Sequence, residues 1–102
     1  MNCLVTGAGG FLGRYIVEQL VARGDAVRAL VRRKTPALEE LGVECVHGDI
    51  TELADVKRAC RGVDVVFHVA AVAGIWGAWK HFYNANVMGT KNVISGCCQE
   101  GV

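Results

Sequence analysis

The stretch VTGAGGFLGR, residues 5–14, sets four glycines between an apolar run and a helical pattern. A chain turns that sharply out of a buried strand and into a helix where side chains are absent. The segment therefore predicts strand, tight turn and helix in immediate succession. Upstream, NCLVTG is a short apolar run ending at glycine, as a buried strand would. Downstream, from Phe11 to Arg23, Leu12, Ile16 and Leu20 recur at helical spacing, supported by Val17 and Val21. Gly24 stands where a left-handed cap residue ends such a helix.

The alternation continues along the chain. AVRALV reads as a second strand, and TPALEELG as a short helix with Thr35 as N-cap, Pro36 at the first helical position and Gly42 as C-cap. VECVH is a third strand, and TELADVKRACRG a helix capped by Thr51 and closed by Gly62. VDVVFHVAA, apolar almost throughout, is a fourth strand of the kind covered on both faces. The final helix is expected from about His81 to Glu100, with Tyr83, Val87, Thr90, Ile94 and Cys97 along one side. Strands alternating with helices make βαβ units around a parallel sheet. Right-handed crossovers and a reversal after the third strand give the strand order 3-2-1-4. The expected fold class is α/β, a Rossmann-type doubly wound parallel sheet, in one domain over residues 1–102.

Composition narrows the function classes. With 52% hydrophobic and 21% charged residues, the 102 residues suit one small globular domain. A net charge of +1 offers no field for nucleic acid and no polybasic membrane anchor. The longest apolar stretch, VDVVFHVAAVAGIW, is too short for a bilayer and is broken by Asp64 and His68. No leader pattern follows Met1, so a soluble, cytoplasmic protein is expected. Cys3, Cys45, Cys60, Cys97 and Cys98 show no CxxC spacing and read as reduced thiols. No histidine has a partner at metal-ligand spacing, so no metal site is expected. His68, inside an apolar strand, reads as a satisfied core histidine.

Within the turn, Gly7, Gly10 and Gly13 form GxxGxxG; the commoner GxGxxG is not met, because Leu12 occupies its last position. The physical reasons carry over. Gly7 turns the chain, Gly10 removes a Cβ where a pyrophosphate must approach the backbone, and Gly13 lets the helix close on the sheet. The N–H groups and dipole of the helix beginning near Phe11 then face the phosphates. No GK[ST] follows, which excludes a nucleoside-triphosphate P-loop. The plain alternative is a turn that merely needs glycine. At the end of the second strand, where an acid would take the ribose hydroxyls of NAD, stand Val31, Arg32 and Arg33, with no carboxylate before Glu39. Two guanidiniums suit a 2′-phosphate, which favours NADP over NAD; a solvated basic loop is the alternative.

TGAGGFLG, Gly48–Asp49, DVVFHVAA at Asp64–Ala71 and NVMGTKNV at Asn86–Val93 together resemble the extended short-chain dehydrogenase/reductases, the NAD-dependent epimerase/dehydratase superfamily. HVAAVAGIWGAWKHFYNANVMGTKNV is similar to its 3β-hydroxysteroid dehydrogenase-like branch, which includes reductases of long-chain 2-alkyl-3-oxoalkanoates. The resemblance implies that Gly7, Gly10, Phe11 and Leu12 line the pyrophosphate, with Gly13 completing the turn, and that Arg32 meets the adenosine end. It implies that Asp49 and Ile50 flank the adenine, the Asp49 carboxylate accepting from the exocyclic amine. Ala70 and Ala71 would lie along the cofactor toward the nicotinamide ribose. Asn86 would be the helix asparagine that helps order an active-site water and lysine. Two alternatives stay open: Asp49 as a turn before a helix, and Asn86 as a buried amide satisfied by backbone. The loop from Val72 to Trp79, with two tryptophans, would wall an apolar substrate or simply pack against further structure.

By the same resemblance, reduction uses a tyrosine acid, a lysine four residues later and an orienting serine or threonine. Tyr15 is followed at that spacing by Gln19 and Tyr83 by Val87, so no catalytic residue is assigned. The sequence ends in CQEGV, where the resemblance places a fifth strand. The expectation is a truncated sheet with the fourth strand as an unpaired edge. It would be the cofactor-binding half of an NAD(P)-dependent oxidoreductase, inactive alone, whose parent interconverts a hydroxyl and a ketone on a sterol-like or long-chain 3-oxoacyl substrate. A sugar-nucleotide epimerase or dehydratase, and a non-catalytic dinucleotide-binding regulatory module, are the alternatives. Dimerisation through a helix bundle, common in the family, would make the last helix a homodimer face.

Overall fold

Four parallel strands form one sheet in the order β3-β2-β1-β4, matching the expected order. They are β1 (Asn2–Thr6), β2 (Ala26–Val31), β3 (Glu44–His47) and β4 (Val65–His68). The computed structural model describes residues 1–70 and 79–102, Phe82 by its backbone alone. Ala71 and the loop 72–78 lie outside the described residues. The helices are α1 (Phe11–Arg23), α2 (Pro36–Glu40), α3 (Leu53–Cys60), α4 (Trp79–Tyr83) and α5 (Gly89–Glu100), with a π-helical segment, Asn84–Met88, joining the last two. Among the described residues no helix is long and apolar enough to cross a membrane.

The two-residue period of the strands sorts the core into two layers. Cys3, Val5, Val27, Ala29 and Val31 face Val17 and Leu20 of α1 and Leu38 of α2. Leu4 and Leu30 face the other way, onto Val56, Ala59 and Cys60 of α3 and Val93 of α5. Where α5 crosses α3, a Cβ on Gly96 would stand 2.8 Å from Val56 Cγ1, so the close approach needs glycine there. Burial, with the Cys97 thiol alongside, pushes the Cys60 thiol up to about 12, as expected of a packing thiol and not a reactive one. Arg28 of β2 reaches the end of α3, donating to the Ala59 carbonyl at 2.8 Å and the Arg61 carbonyl at 2.7 Å, while its Nε pairs with Glu44 at 2.7 Å.

Several local expectations are corrected. Thr51 does not cap α3: Glu52 takes that position, and Thr51 turns back to bond Asp49. Thr35 is the N-cap of α2 as expected, but its hydroxyl donates to the Arg33 carbonyl and leaves the helix amides to the Thr35 carbonyl. Leu12, expected on the core face of α1, is 57% exposed; Gly13, Val17 and Leu20 are the buried residues. The last helix starts at Trp79 and presents Gly89, Val93 and Gly96 inward, leaving Val87 and Ile94 exposed. The π segment rephases the helix, and two small residues form most of the packed stripe. β4 is half-buried along its length, since β1 alone pairs with it among the described residues.

Arg28→Met keeps the apolar stem but leaves two carbonyls without their charged donor. It should lower stability by about 1–3 kcal/mol, read from the urea midpoint with an unchanged slope.

Candidate functional site

The carboxyl ends of β1 and β4 meet at Thr6, which is fully buried. Its Oγ1 accepts from the Val69 N–H at 3.0 Å and the Ala70 N–H at 3.1 Å. With both lone pairs used, the hydroxyl proton goes to His68 Nδ1, 2.7 Å away. Nδ1 is then the acceptor, so the ring carries its proton on Nε2 and donates to Thr90 Oγ1 at 3.1 Å. The Thr90 hydroxyl in turn donates to the Asn86 carbonyl at 2.8 Å. This relay admits only neutral His68, and burial also lowers its pKa from the ordinary 6.5. His68 is thus a core histidine with both nitrogens satisfied, as expected.

Directly after Thr6 the chain turns at Gly7, with φ +69°. A Cβ there would stand 2.7 Å from the Ala70 nitrogen, so the turn lies against the end of β4 and admits glycine alone. The Gly7 carbonyl accepts from the Gly10 N–H at 3.1 Å. Gly13 packs on that same carbonyl: its Cβ would stand 2.6 Å from the carbonyl carbon. Gly10 differs, since a Cβ there would meet only the Gly7 oxygen at an ordinary 3.5 Å, and Gly9 would meet nothing within 4 Å. The fold therefore needs glycine at positions 7 and 13 and leaves 9 and 10 free. Gly10 is the N-cap of α1, with no side-chain cap and no acid in the first turn, so the helix start presents bare amide dipoles.

These amides open on a cleft of about 800 Å³ across the carboxyl ends of the strands. Gly7, Gly10, Phe11, Leu12 and Gly13 line it from the turn after β1, Arg32 from the end of β2, Asp49 and Ile50 from the segment after β3, and Ala70 from the end of β4. The predicted residues thus come together, except Ala71, which lies outside the described residues. Arg33, Gly48, His81, Asn84 and Ala85 also line the cleft. Asn84 and Ala85 belong to the π segment, whose wider turn no apolar periodicity announces. Arg32 and Arg33 are exposed and join no ion pair among the described residues. Asp49 does form a turn before a helix: its Oδ1 accepts from the Thr51 N–H and hydroxyl, both at 2.9 Å. It lines the cleft as well, so the two readings of Asp49 are compatible.

The sequence model of the 3-beta hydroxysteroid dehydrogenase/isomerase family matches residues 4–102. The chain belongs to that family. It is 45% identical over 102 residues to a 2-alkyl-3-oxoalkanoate reductase of Stenotrophomonas maltophilia, an alignment covering 100% of this chain and 31% of that protein. It is 40% identical over 101 residues to the decarboxylating sterol-4-alpha-carboxylate 3-dehydrogenase of Bos taurus, covering 99% of this chain and 28% of that one. Among solved structures, the UDP-glucose 4-epimerase of Thermus thermophilus, in complex with NAD, is 34% identical with a TM-score of 0.87. That match covers 100% of this chain and 35% of the epimerase. The chain spans about a third of the length of these relatives.

In this member of the 3-beta hydroxysteroid dehydrogenase/isomerase family, neither tyrosine lines the cleft. Tyr15 is 58% exposed on α1, and Tyr83 stacks on Trp79 with ring centroids 4.8 Å apart. Asn86 is exposed, so it is not the buried amide weighed above, and its carbonyl serves the Thr90 hydroxyl.

The glycine turn and the buried histidine can each be tested by unfolding. Gly13→Ala should destabilise the fold by roughly 1–3 kcal/mol in thermal or urea unfolding, whereas Gly10→Ala, with space for a Cβ but a poorer N-cap, should change it by less than about 1 kcal/mol. Below pH 6.5 the unfolded chain takes up a proton on His68 that the folded chain refuses. Stability is therefore complete above that pH and declines as pH falls toward the lowered folded pKa. Urea midpoints between pH 7.5 and 5 should show this decline, reduced in His68→Asn.

Proposed function

We propose that this cleft binds a nicotinamide adenine dinucleotide, NADP in preference to NAD, in an oxidoreductase. The carrying observation is the uncapped, acid-free first turn of α1 on a cleft that Arg32 and Arg33 also line, without ion-pair partners among the described residues. Bare amides at a helix start suit a pyrophosphate, and the open backbone at Gly9 and Gly10 leaves it room to approach. Phe11, Leu12 and Gly13 carry those amides, with Gly7 shaping the turn beneath them. Arg32 and Arg33 would take the 2′-phosphate as charge-assisted donors. Asp49, with Oδ1 already held by Thr51, would offer its carboxylate to the exocyclic amine of the adenine, and Ile50 would pack on the ring. Ala70 and Ala71 would border the nicotinamide ribose.

When bound, the dinucleotide supplies or accepts a hydride. The residues here bind and orient it, and none of them is assigned a proton transfer. The substrate class we favour is a sterol-like or long-chain 3-oxoacyl compound, interconverted between hydroxyl and ketone, in keeping with the names of the reductase and the sterol dehydrogenase relatives. The likeness to the UDP-glucose 4-epimerase supports a second reading, a sugar-nucleotide enzyme. In a protein carrying this chain, NADPH consumption with a long-chain 3-oxoacyl substrate would mark the first, and conversion of a UDP-sugar the second.

Calorimetric titration tests the binding step. NADPH should bind about tenfold more tightly than NADH, and Arg32→Ala/Arg33→Ala should bring the two to parity. Absence of binding by either, or equal binding by wild type, contradicts the assignment.

A further inference from the structure

The Asp49 side of the cleft is the short segment that leaves β3, from His47 at the strand end to Ile50, and its shape is held by bonds from β2, α3 and α5. The Gly48 N–H returns to the Val31 carbonyl at 3.0 Å, tying the loop to the end of β2. Asn92 of α5 donates to the Ile50 carbonyl at 2.8 Å, and Ile50 itself lies over Gly89, where a Cβ would stand 2.5 Å from its Cδ1. The remaining ties run through two paired side chains of α3, Asp55 and Arg58. Asp55 Oδ2 accepts the Asp49 N–H at 3.0 Å, and Asp55 Oδ1 pairs with Arg58 at 3.1 Å. Arg58 completes the loop by donating from Nη2 to the His47 carbonyl at 2.6 Å. Asp55 also fits beneath Gly48 with no room to spare, since a Cβ there would stand 2.7 Å from Asp55 Cβ. Asp55 does not line the cleft; Asp49 and Ile50 do.

From this arrangement we infer that Asp55 is a positioning residue for adenine recognition, setting the direction of the Asp49 carboxylate through the Asp49 backbone amide while Arg58 holds Asp55 in place. The inference rests on the dinucleotide reading of the cleft. Asp49 has two constraints on its orientation. Thr51 fixes one carboxylate oxygen, and Asp55 fixes the amide from which the side chain projects. Loss of the second constraint leaves the carboxylate tied to Thr51 alone, so Asp49 and Thr51 can shift together and its bond to an exocyclic amine forms less often. A residue that merely stabilised the fold would weaken every dinucleotide alike. A residue acting through Asp49 should weaken those bearing the amine and spare those lacking it.

The test compares NADPH with its deaminated analogue, in which hypoxanthine replaces adenine, by calorimetric titration of the full chain. Wild type should prefer the adenine form. Asp55→Ala should lose about tenfold in NADPH affinity and change less than about twofold for the hypoxanthine form, collapsing the preference. Asp55→Asn, which keeps an acceptor for the Asp49 N–H, should restore most of it. Arg58→Met, which leaves Asp55 in place but removes its counter-ion, should shift the preference in the same direction by less, and it supplies the readout if Asp55→Ala does not fold. Equal losses for both dinucleotides, or an unchanged preference in Asp55→Ala and Arg58→Met, overturn the role of Asp55 while leaving the binding site standing. Failure of wild type to bind either form overturns the site itself, and the inference with it.

Discussion

The hydroxyl of Thr6 sits where the glycine turn, β4 and the last helical stretch converge. It takes two backbone amides from the start of the loop after β4 and gives its single proton to His68. That arrangement levels the ends of β1 and β4, which places the Gly7 turn against Ala70 and aims the start of α1 across the sheet edge. His68 then relays the constraint to Thr90 on α5, and so to the π segment that borders the cleft. Each side chain of this relay is hydrogen-bonded, and among the described residues no buried side-chain polar atom lacks a partner. Displacing the buried Thr6 hydroxyl would leave two backbone amides and the His68 ring without their partner, which holds the inner end of the relay in one geometry.

Charge is distributed to the same end. Asp25 is held by Arg23 and the amino terminus, Glu44 by Arg28, and Asp55 by Arg58, which fastens strands, helix ends and loops from outside the cleft. The side-chain hydrogen bond from Arg23 holds the Asp25 carboxyl below its ordinary value, with the amino terminus adding to the effect. Arg32 and Arg33 stand apart from these pairs, at the cleft that the amide-rich start of α1 also lines. Two separate sources of positive potential thus border one opening, at the ends of the neighbouring strands β1 and β2. A ligand with anionic groups at both places would satisfy them together, as the proposed dinucleotide phosphate would.

How much of this was legible in the sequence depends on whether a residue acts through its own side chain. The bounds of α1 were readable because a glycine turn precedes it and Gly24 ends it. The strand order followed from the alternation of elements and the handedness of their crossovers. The cleft-lining glycines and Arg32 were readable because backbone access and fixed charge are properties of residue type. Thr51 was misplaced because a threonine before a helix can serve either the helix amides or a neighbouring carboxylate, and Asp49 won. The buried face of α5 was missed because Gly89 and Gly96 fill it, chosen for the closeness of Ile50 and Val56 and not for hydrophobicity, while Ile94 faces outward. Asp55 left no trace in any pattern, since it acts through the amide of another residue.

If the turn between β1 and α1, held in shape by Thr6, receives the phosphates of a dinucleotide, its amides must respond first. Amide shifts in a nuclear magnetic resonance titration with NADPH read this residue by residue. The largest changes should fall on Gly9, Gly10, Phe11 and Leu12, with a second group at Arg32 and Arg33 that is weaker for NADH. The amides of α3 that face away from the cleft should stay fixed. Saturable binding with its largest changes elsewhere, and none at residues 9–12, would contradict the account.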